Sequence, residues 1–205
     1  MLNRYGYADA ENILDEWNYM EDWAAQGPSY RKLCGMHGAA FCAASMIIMQ
    51  QSPVDAACYF EADPVKEWCG IFEVKDMAIG RTRFATLKPR KPYIPFRVFG
   101  EMAKLGTEIS SSVSSEDVYA LGAAADGCFT GMITSFGTTP GEIRVTLSGL
   151  PAVPCTVTAE RLCDGTDIGD DGKTETVMSF TAVGETEIPL PMRDDEILIL
   201  RAKVK

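Results

Sequence analysis

The sequence predicts two kinds of structure in one chain: an α/β segment over residues 1–106 and an all-β domain over residues 107–205. In the first segment, apolar strand-like runs alternate with helical runs in the order β-α-β-α, the unit of a parallel sheet. Helical periodicity stops near residue 107, and short alternating segments follow. The charge changes at the same point, because residues 1–106 carry 12 Lys and Arg against 13 Asp and Glu, whereas residues 107–205 carry 7 against 16.

The overall composition is that of an ordinary globular protein. The chain has 205 residues, of which 46% are hydrophobic and 23% charged, and its formal net charge is -10. This balance excludes a disordered chain. The acidity also argues against a nucleic-acid partner or an anionic membrane, because both require clustered Lys and Arg.

Cysteine and histidine usage predicts neither a metal nor a cofactor. There are seven Cys, an odd number, with no Cys-x-x-Cys spacing, and one His. This excludes the usual zinc signatures. Most of the Cys lie in apolar runs, so we expect reduced thiols in a cytoplasmic protein. The N-terminal residues contain no apolar signal-peptide run, and the longest apolar run, Met36–Met49, is shorter than the roughly 20 residues of a membrane span.

The first βα unit begins with a short apolar run at Asn12–Leu14, which predicts a buried strand. This run changes abruptly into polar and aromatic residues at Asp15–Tyr19. A helix is predicted over residues 30–51, with an apolar centre and alanines at helical spacing (Ala39, Ala40, Ala43 and Ala44) that favour close packing on a sheet.

The second βα unit has a strand at Val54–Phe60 that ends in Glu61–Pro64. A long loop is predicted next, containing Trp68 and the basic stretch Lys88–Lys91. A helix over Pro92–Leu105 then ends at Gly106. Polar and aromatic residues therefore follow both strands, at the edge where α/β barrels and doubly wound sheets build their sites.

The second half of the chain predicts a small antiparallel β-sandwich. An Asp126-Gly127 pair between two apolar runs is a strong hairpin signal. The acidic loop Asp164–Gly172 resembles a calcium loop in composition, but it lacks the regular oxygen spacing and closing Glu of an EF-hand, so a solvated turn is favoured. Seven strands are predicted, at 118–124, 129–136, 143–147, 155–162, 177–182, 187–190 and 197–204.

The stretch Ile-Leu-Asp-Glu-Trp-Asn-Tyr at residues 13–19 resembles the nucleophile segment of clan A glycoside hydrolases. The runs HGAAFCAASMIIMQ, VDAACYFEADP, WCGIF and KPYIPFRVFGEMAKLG follow in the order of the seventh and eighth βα units of glycoside hydrolase family 39. A β-sandwich after the last helix is also common in that family. The resemblance implies that residues 1–106 are a partial (β/α)8 barrel segment, followed by an antiparallel β-sandwich.

The resemblance also implies roles for individual residues. Glu16 matches the catalytic nucleophile of a retaining mechanism. Trp17, Asn18, Tyr59, Glu61 and Trp68 are expected around a carbohydrate substrate, and His37 could reach the rim of the site.

The residues taken alone allow simpler interpretations. Glu16 could be a solvated loop carboxylate, Glu61 an ordinary loop acid and His37 a polar residue at a helix start. Trp17 and Trp23 could serve packing, and Trp68 could be either a core plug or a sugar platform. Strand alternation predicts that one of Tyr59 and Phe60 lies in the core.

The departure from the family pattern is the length of the α/β segment. A complete barrel takes about 250 residues, and only 106 precede the predicted sandwich. The first six units are missing, and the acid/base residue of this clan lies on the fourth. We therefore expect the chain alone to be inactive and its partner to be the missing barrel part or a second copy. The alternative is a non-catalytic remnant or a structural, carbohydrate-associated β-sandwich module.

Overall fold

The computed structural model describes residues 2–6, 9–22, 24–62, 71–75, 86–162 and 173–205. Within them the chain has a mixed α/β fold of three α-helices and twelve strands. A 3-10 turn at Leu2–Tyr5 precedes the first strand. The helices are α1 (Gln26–Cys34), α2 (Met36–Gln50) and α3 (Tyr93–Leu105). The first five strands are β1 (Ile13–Trp17), β2 (Ala56–Tyr59), β3 (Phe72–Lys75), β4 (Thr86–Pro89) and β5 (Glu108–Ile109).

The seven strands predicted after residue 107 are all present, each within a few residues of its expected bounds. They are β6 (Val118–Ala125), β7 (Cys128–Ser135), β8 (Gly141–Leu147), β9 (Cys155–Leu162), β10 (Thr174–Ala182), β11 (Thr186–Met192) and β12 (Ile197–Val204). The hairpin predicted at Asp126-Gly127 joins β6 to β7, with both turn residues at positive φ. The acidic loop lies outside the described residues.

A six-stranded sheet in the order β10-β9-β12-β7-β6-β5 forms the centre of the molecule. Its strands are antiparallel. As in any β-strand, successive side chains of β12 face opposite sides of the sheet. Ile197 and Ile199 pack with α2 and α3, whereas Leu198 and Leu200 pack toward the two-stranded sheet of β8 and β11. All four side chains are 1% exposed or less. The sheet is therefore covered on both faces, by helices on one side and by strands on the other.

The alanine stripe predicted for α2 is buried, and Ala39 and Ala43 belong to the core that α2 shares with this sheet. Ala39, Ala40 and Ala43 are 0% exposed and Ala44 is 3% exposed. The apolar face of α3 (Ile94, Val98 and Met102) shares the same core. The α/β segment and the large sheet thus have one hydrophobic core in common.

The single helix predicted over residues 30–51 is wrong, because the structure divides it at Gly35 into α1 and α2, bent by 61°. Gly35 has extended backbone and cannot continue the helix. At Gly38, a β-carbon would lie 1.9 Å from the carbonyl oxygen of Leu33, a contact that only glycine permits. Among the described residues no single helix is long and apolar enough to cross a membrane, although the bent pair passes that test by length and composition.

The long loop predicted between the second strand and α3 is also wrong in part, because it contains the antiparallel pair β3 and β4. The basic stretch expected in that loop is not a solvated run. Lys88 and Pro89 belong to β4, and Arg90 and Lys91 are each 2% exposed. The Arg90 guanidinium lies 5.2 Å from the ring centre of Tyr30. Residues 81–85 lie outside the described part.

Candidate functional site at the ends of β1 and β2

Strands β1 and β2 run parallel and bring their carboxyl ends together, as the βα pattern predicts. The pair is tied at its start, where the Asn12 backbone N–H donates to Asp55 Oδ2 at 2.7 Å. At its end, the Phe60 N–H donates to the Trp17 carbonyl oxygen at 2.9 Å, and Asn18 Nδ2 donates to the Phe60 carbonyl oxygen at 2.6 Å. The residues after the two strands therefore form one continuous edge.

Glu16 is exposed near the end of β1. The register between β1 and β2 shifts between Leu14 and Trp17, the interval that contains Asp15 and Glu16. Glu61, half-buried, follows Phe60 through a cis peptide bond at the end of β2, and its carbonyl oxygen accepts the Ile71 N–H. Glu16 therefore lies near the end of one strand, and Glu61 follows the parallel strand beside it.

Trp17 packs into the layer of helices. Its ring makes an edge contact with Tyr59 at a centroid distance of 4.9 Å and lies 6.4–6.5 Å from Phe41 of α2 and Phe96 of α3. Tyr59 in turn contacts Phe96 at 5.3 Å. The indole Nε1 of Trp17 is buried and has no hydrogen-bond partner among the described residues. Trp17 therefore packs the pair of strands β1 and β2 against α2 and α3, as the packing interpretation predicts.

Tyr59 and Phe60 are both half-buried. Phe60 packs against Leu33 and Cys34 of α1, together with Met20 and Tyr30. Because side chains alternate along the strand, Tyr59 contacts α3 and Phe60 contacts α1. Neither side chain is fully exposed. Trp68, the remaining aromatic residue of the predicted site, and Trp23 lie outside the described residues.

His37 contacts the large sheet's loop between β11 and β12. Its Nδ1 lies 2.6 Å from Asp195 Oδ2, and both side chains are mostly buried. The rings of Tyr19 and Phe136 lie 4.6 and 4.9 Å from the imidazole. His37 thus links the start of α2, the loop after β1 and the sheet. Sequence reasoning missed Asp195, whose only signal is an acidic turn, Asp194–Glu196, placed between two apolar strands.

Burial affects the ionisation of two groups beside the strand ends. Burial raises the pKa of the Cys34 thiol to about 11, even though the nearby Arg90 guanidinium acts in the opposite direction. Burial, with the negative charge of Glu21, also raises the pKa of Tyr19. These two groups are therefore neutral at physiological pH. Within the described residues, no three His, Cys, Asp or Glu side chains come together as a group that could hold a metal ion.

Two cavities lie away from Glu16. One, of about 410 Å³, lies over the end of the large sheet and is lined by Thr156, Thr158 and residues 201–205. The other, of about 200 Å³, lies between α3, β6 and the end of α2. Neither is lined by a residue of the β1–β2 edge.

The fold is similar to that of glycoside hydrolases. A glucosidase from Croceicoccus marinus matches 100% of this chain with a TM-score of 0.70 and 18% identity. A GH39 enzyme from Xanthomonas axonopodis pv. citri matches 93% with a TM-score of 0.63 and 11% identity, and a monomeric β-xylosidase from Caulobacter crescentus CB15 matches 99% with a TM-score of 0.66 and 11% identity. No protein-family model and no curated protein matches the sequence.

The chain spans about half the length of these solved structures, with 48%, 44% and 47% of each covered. The structural resemblance to family 39 and related clan A glycoside hydrolases, expected from the Asp-Glu-Trp-Asn stretch, is confirmed. Because the sequence identities are only 11–18%, the similarity shows a shared fold and nothing more.

Proposed function

We propose that this chain is the nucleophile-bearing part of a retaining glycoside hydrolase, with Glu16 as the nucleophile. The observation that carries the proposal is the placement of Glu16. It is an exposed carboxylate at the carboxyl end of a parallel strand, in a fold similar to three glycoside hydrolases. Carboxyl ends of parallel strands are where α/β barrels hold their catalytic residues.

In the proposed reaction, a Glu16 oxygen attacks the anomeric carbon and the bond from that carbon to the leaving oxygen breaks. A carboxylic acid from outside this chain protonates the leaving oxygen, and water then hydrolyses the glycosyl ester. The two carboxyl groups of a retaining pair stand about 5–5.5 Å apart. We propose that the rest of a barrel supplies this acid and that residues 1–106 contribute two of its βα units.

The structure of the strand ends supports a positioning role for the neighbouring residues. Asn18 fixes the end of β1 to β2 through its 2.6 Å bond to the Phe60 carbonyl oxygen. Glu61 follows the adjacent strand and is the neighbouring acid at this edge, whereas the Tyr59 ring packs with Trp17 and Phe96. Tyr19, packed on His37, fixes the loop that follows Glu16. Carbohydrate is therefore the proposed substrate class.

The test is to express residues 1–205 alone and within the longest open reading frame that contains them, and to assay both with aryl glycosides. We expect no hydrolysis by residues 1–205 alone. In the longer protein, Glu16→Gln should abolish hydrolysis, and azide should rescue Glu16→Gly as a glycosyl azide. Glu11→Gln, which removes a nearby exposed acid outside β1, is the matched control. Full activity of the longer Glu16→Gln variant would refute the proposal, as would hydrolysis by residues 1–205 alone that Glu16→Gln abolishes.

The alternative of a sugar-binding sheet module has less support. Tyr119, Phe129, Phe136 and Phe180 are all half-buried and pack into the interior. Exposed aromatic rings are what such modules stack on sugars, so a packing role for the sheet is favoured. Glycan binding by residues 1–205 that persists in Glu16→Gln would favour this alternative.

A further inference from the structure

The larger of the two cavities lies on the helix side of the large sheet, past the point where α3 covers it. Along β12, Ile197 and Ile199 pack with α2 and α3, and Arg201 reaches α3 through its ion pair with Glu101. The next residues at the same two-residue spacing are 203 and 205, so they face the same side. The described residues that line this cavity of about 410 Å³ belong to β9 and β12 or directly follow β12. We call it the sheet-end cavity.

Hydroxyl groups and lysine side chains share the sheet-end cavity. Thr156 of β9 lies opposite Lys203 of β12, and Thr158 lies two residues further along β9, so both hydroxyls are on the lysine side. Both threonines are half-buried. Thr181 of β10 lies opposite Thr156, and its Oγ1 accepts a hydrogen bond from Lys205 Nζ at 2.9 Å. The side chain of Lys205 therefore lies across this face of the sheet.

Two of the three cations in the sheet-end cavity are not neutralised by a neighbouring side chain. Arg201 pairs with Glu101 at 2.7 Å and with Glu160 at 3.0 Å. Lys203 and Lys205 are exposed, and within the described part of the chain neither forms an ion pair with an acidic side chain. The second half of the chain has only seven basic residues, and these three lie on one face of one strand. The cavity therefore offers a local positive charge in an acidic domain.

We infer that the sheet-end cavity binds a carboxylated sugar unit, a hexuronate. Its carboxylate would lie between the ammonium groups of Lys203 and Lys205, and its hydroxyls would exchange hydrogen bonds with Thr156 and Thr158. An ammonium group only donates hydrogen bonds, whereas a hydroxyl both donates and accepts them, so the lining matches a ligand that carries both a negative charge and hydroxyls. The volume falls within the roughly 300–1,000 Å³ of small-molecule sites. The choice of a sugar acid among hydroxylated anions rests on the proposed function.

The lining also separates this site from a module that stacks neutral sugars. None of the described residues that line the sheet-end cavity is aromatic. A neutral sugar would therefore find hydroxyl partners here but neither a ring to stack on nor a use for the two lysines. Recognition should depend on the carboxylate.

The first test titrates isotope-labelled residues 1–205 with galacturonic acid and with galactose, which differ in the carboxylate, and follows amide signals by NMR. We expect galacturonate to shift the signals of the sheet-end cavity at millimolar concentration and galactose to leave them unchanged. Lys203→Gln/Lys205→Gln should weaken galacturonate binding about tenfold, because two exposed ion pairs are lost. Arg144→Gln/Arg193→Gln removes the same charge from exposed positions elsewhere and should leave binding unchanged.

The second test separates a sugar acid from a simple anion. Thr158→Val keeps the branched shape of the side chain and removes its hydroxyl. It should weaken galacturonate binding about fivefold and leave the binding of sulfate unchanged. Trigalacturonic acid then distinguishes the source of the ligand. Tighter binding than that of galacturonate would identify a unit within an acidic polysaccharide, and equal binding would identify the free sugar acid; both results support the inference.

Three results would overturn the inference: galactose that binds as tightly as galacturonate, Lys203→Gln/Lys205→Gln that binds galacturonate like the unchanged chain, and a Thr158→Val variant that binds galacturonate as tightly as before. Galacturonate binding should persist in Glu16→Gln, so it is judged independently of hydrolysis. Failure of the nucleophile test would leave the binding result in place, and a sheet-end cavity that binds nothing would leave the proposed hydrolysis in place. Binding of neutral glycans, in contrast, would support the sugar-stacking sheet module.

Discussion

The same dipeptide, Ile-Leu, occurs in an exposed strand, β1, and in a buried strand, β12. In β1, Ile13 and Leu14 are 52% and 39% exposed, whereas in β12, Ile197 and Leu198 are both 0% exposed. β12 has neighbours on both edges, helices on one face and β8–β11 on the other. β1 has one described neighbour. The difference teaches that burial of a strand is decided by what surrounds it, not by its own hydrophobicity.

The largest expected effect tests this difference directly. Leu198→Ala removes a fully buried side chain and should lower the free energy of unfolding by about 3 kcal/mol, because a cavity remains in a packed core. Leu14→Ala should cost less than about 1 kcal/mol, because Leu14 is partly in water. Urea denaturation of both variants measures the two values. Equal losses would mean that β1 is covered in solution.

Thiol reactivity compares an exposed position on β2, the partner strand of β1, with two buried helix positions. Cys58, on β2, is exposed, whereas Cys34 and Cys42 are 0% exposed. Burial raises the pKa of both buried thiols, so their reactive thiolate forms are scarce. We expect a thiol reagent at neutral pH to label Cys58 about a hundredfold faster than Cys34 or Cys42. Mass spectrometry of the labelled peptides measures the ratio, and Cys58→Ser, which should remove only the fast phase, is the control.

The contact between His37 of α2 and Asp195 of the loop before β12 should have a smaller effect on stability. Asp195→Asn removes the carboxylate that faces His37 Nδ1 at 2.6 Å and should destabilise the chain by about 1–2 kcal/mol. Asp194→Asn, at the exposed neighbouring position, should leave stability unchanged. Amide exchange in residues 18–22 should rise in Asp195→Asn, since Tyr19 packs on His37. Unchanged exchange with a lower stability would assign Asp195 to the sheet alone.

The smallest effect is the response to alkaline pH. The folded state raises the Cys34 pKa from its ordinary value near 9 to about 11, so the unfolded chain loses this proton first. The free energy of unfolding should therefore fall as the pH rises from 9 to 11. Cys34→Ala should flatten part of this fall, and Cys58→Ser should not. An identical slope in Cys34→Ala would show that the thiol has the same pKa in the folded and in the unfolded chain.

Local patterns predicted the elements of the fold well where a strand or helix depends on its own residues. The seven strands after residue 107 and the end of α3 at Gly106 follow from alternation and turn residues. The division at Gly35 was missed, because a single glycine inside a helical pattern does not by itself end a helix, and the crowding of Gly38 on the Leu33 carbonyl oxygen is visible only in the folded backbone. β3 and β4 were missed because each is only four residues long.

The candidate site was predictable to the extent that it lies at strand ends. Glu16 lies near the end of β1, and Asn18 joins that end to β2 through the Phe60 carbonyl oxygen. A packing role for Trp17 was among the interpretations of the sequence, but its partners Phe41 and Phe96 could not be predicted, because they are distant in sequence. The same holds for the pairing of His37 with Asp195, which are 158 residues apart.

The packing of Trp17 against Tyr59, Phe41 and Phe96 has a spectroscopic consequence. An indole held in an apolar cage emits at shorter wavelength than one in water, and its emission responds to whatever loosens the cage. In a variant with Trp23 and Trp68 replaced by phenylalanine, the fluorescence of Trp17 would report how firmly β1 and β2 sit on α2 and α3. Trp17, one residue away from the proposed nucleophile, is therefore an intrinsic fluorescent reporter of how the strand pair packs.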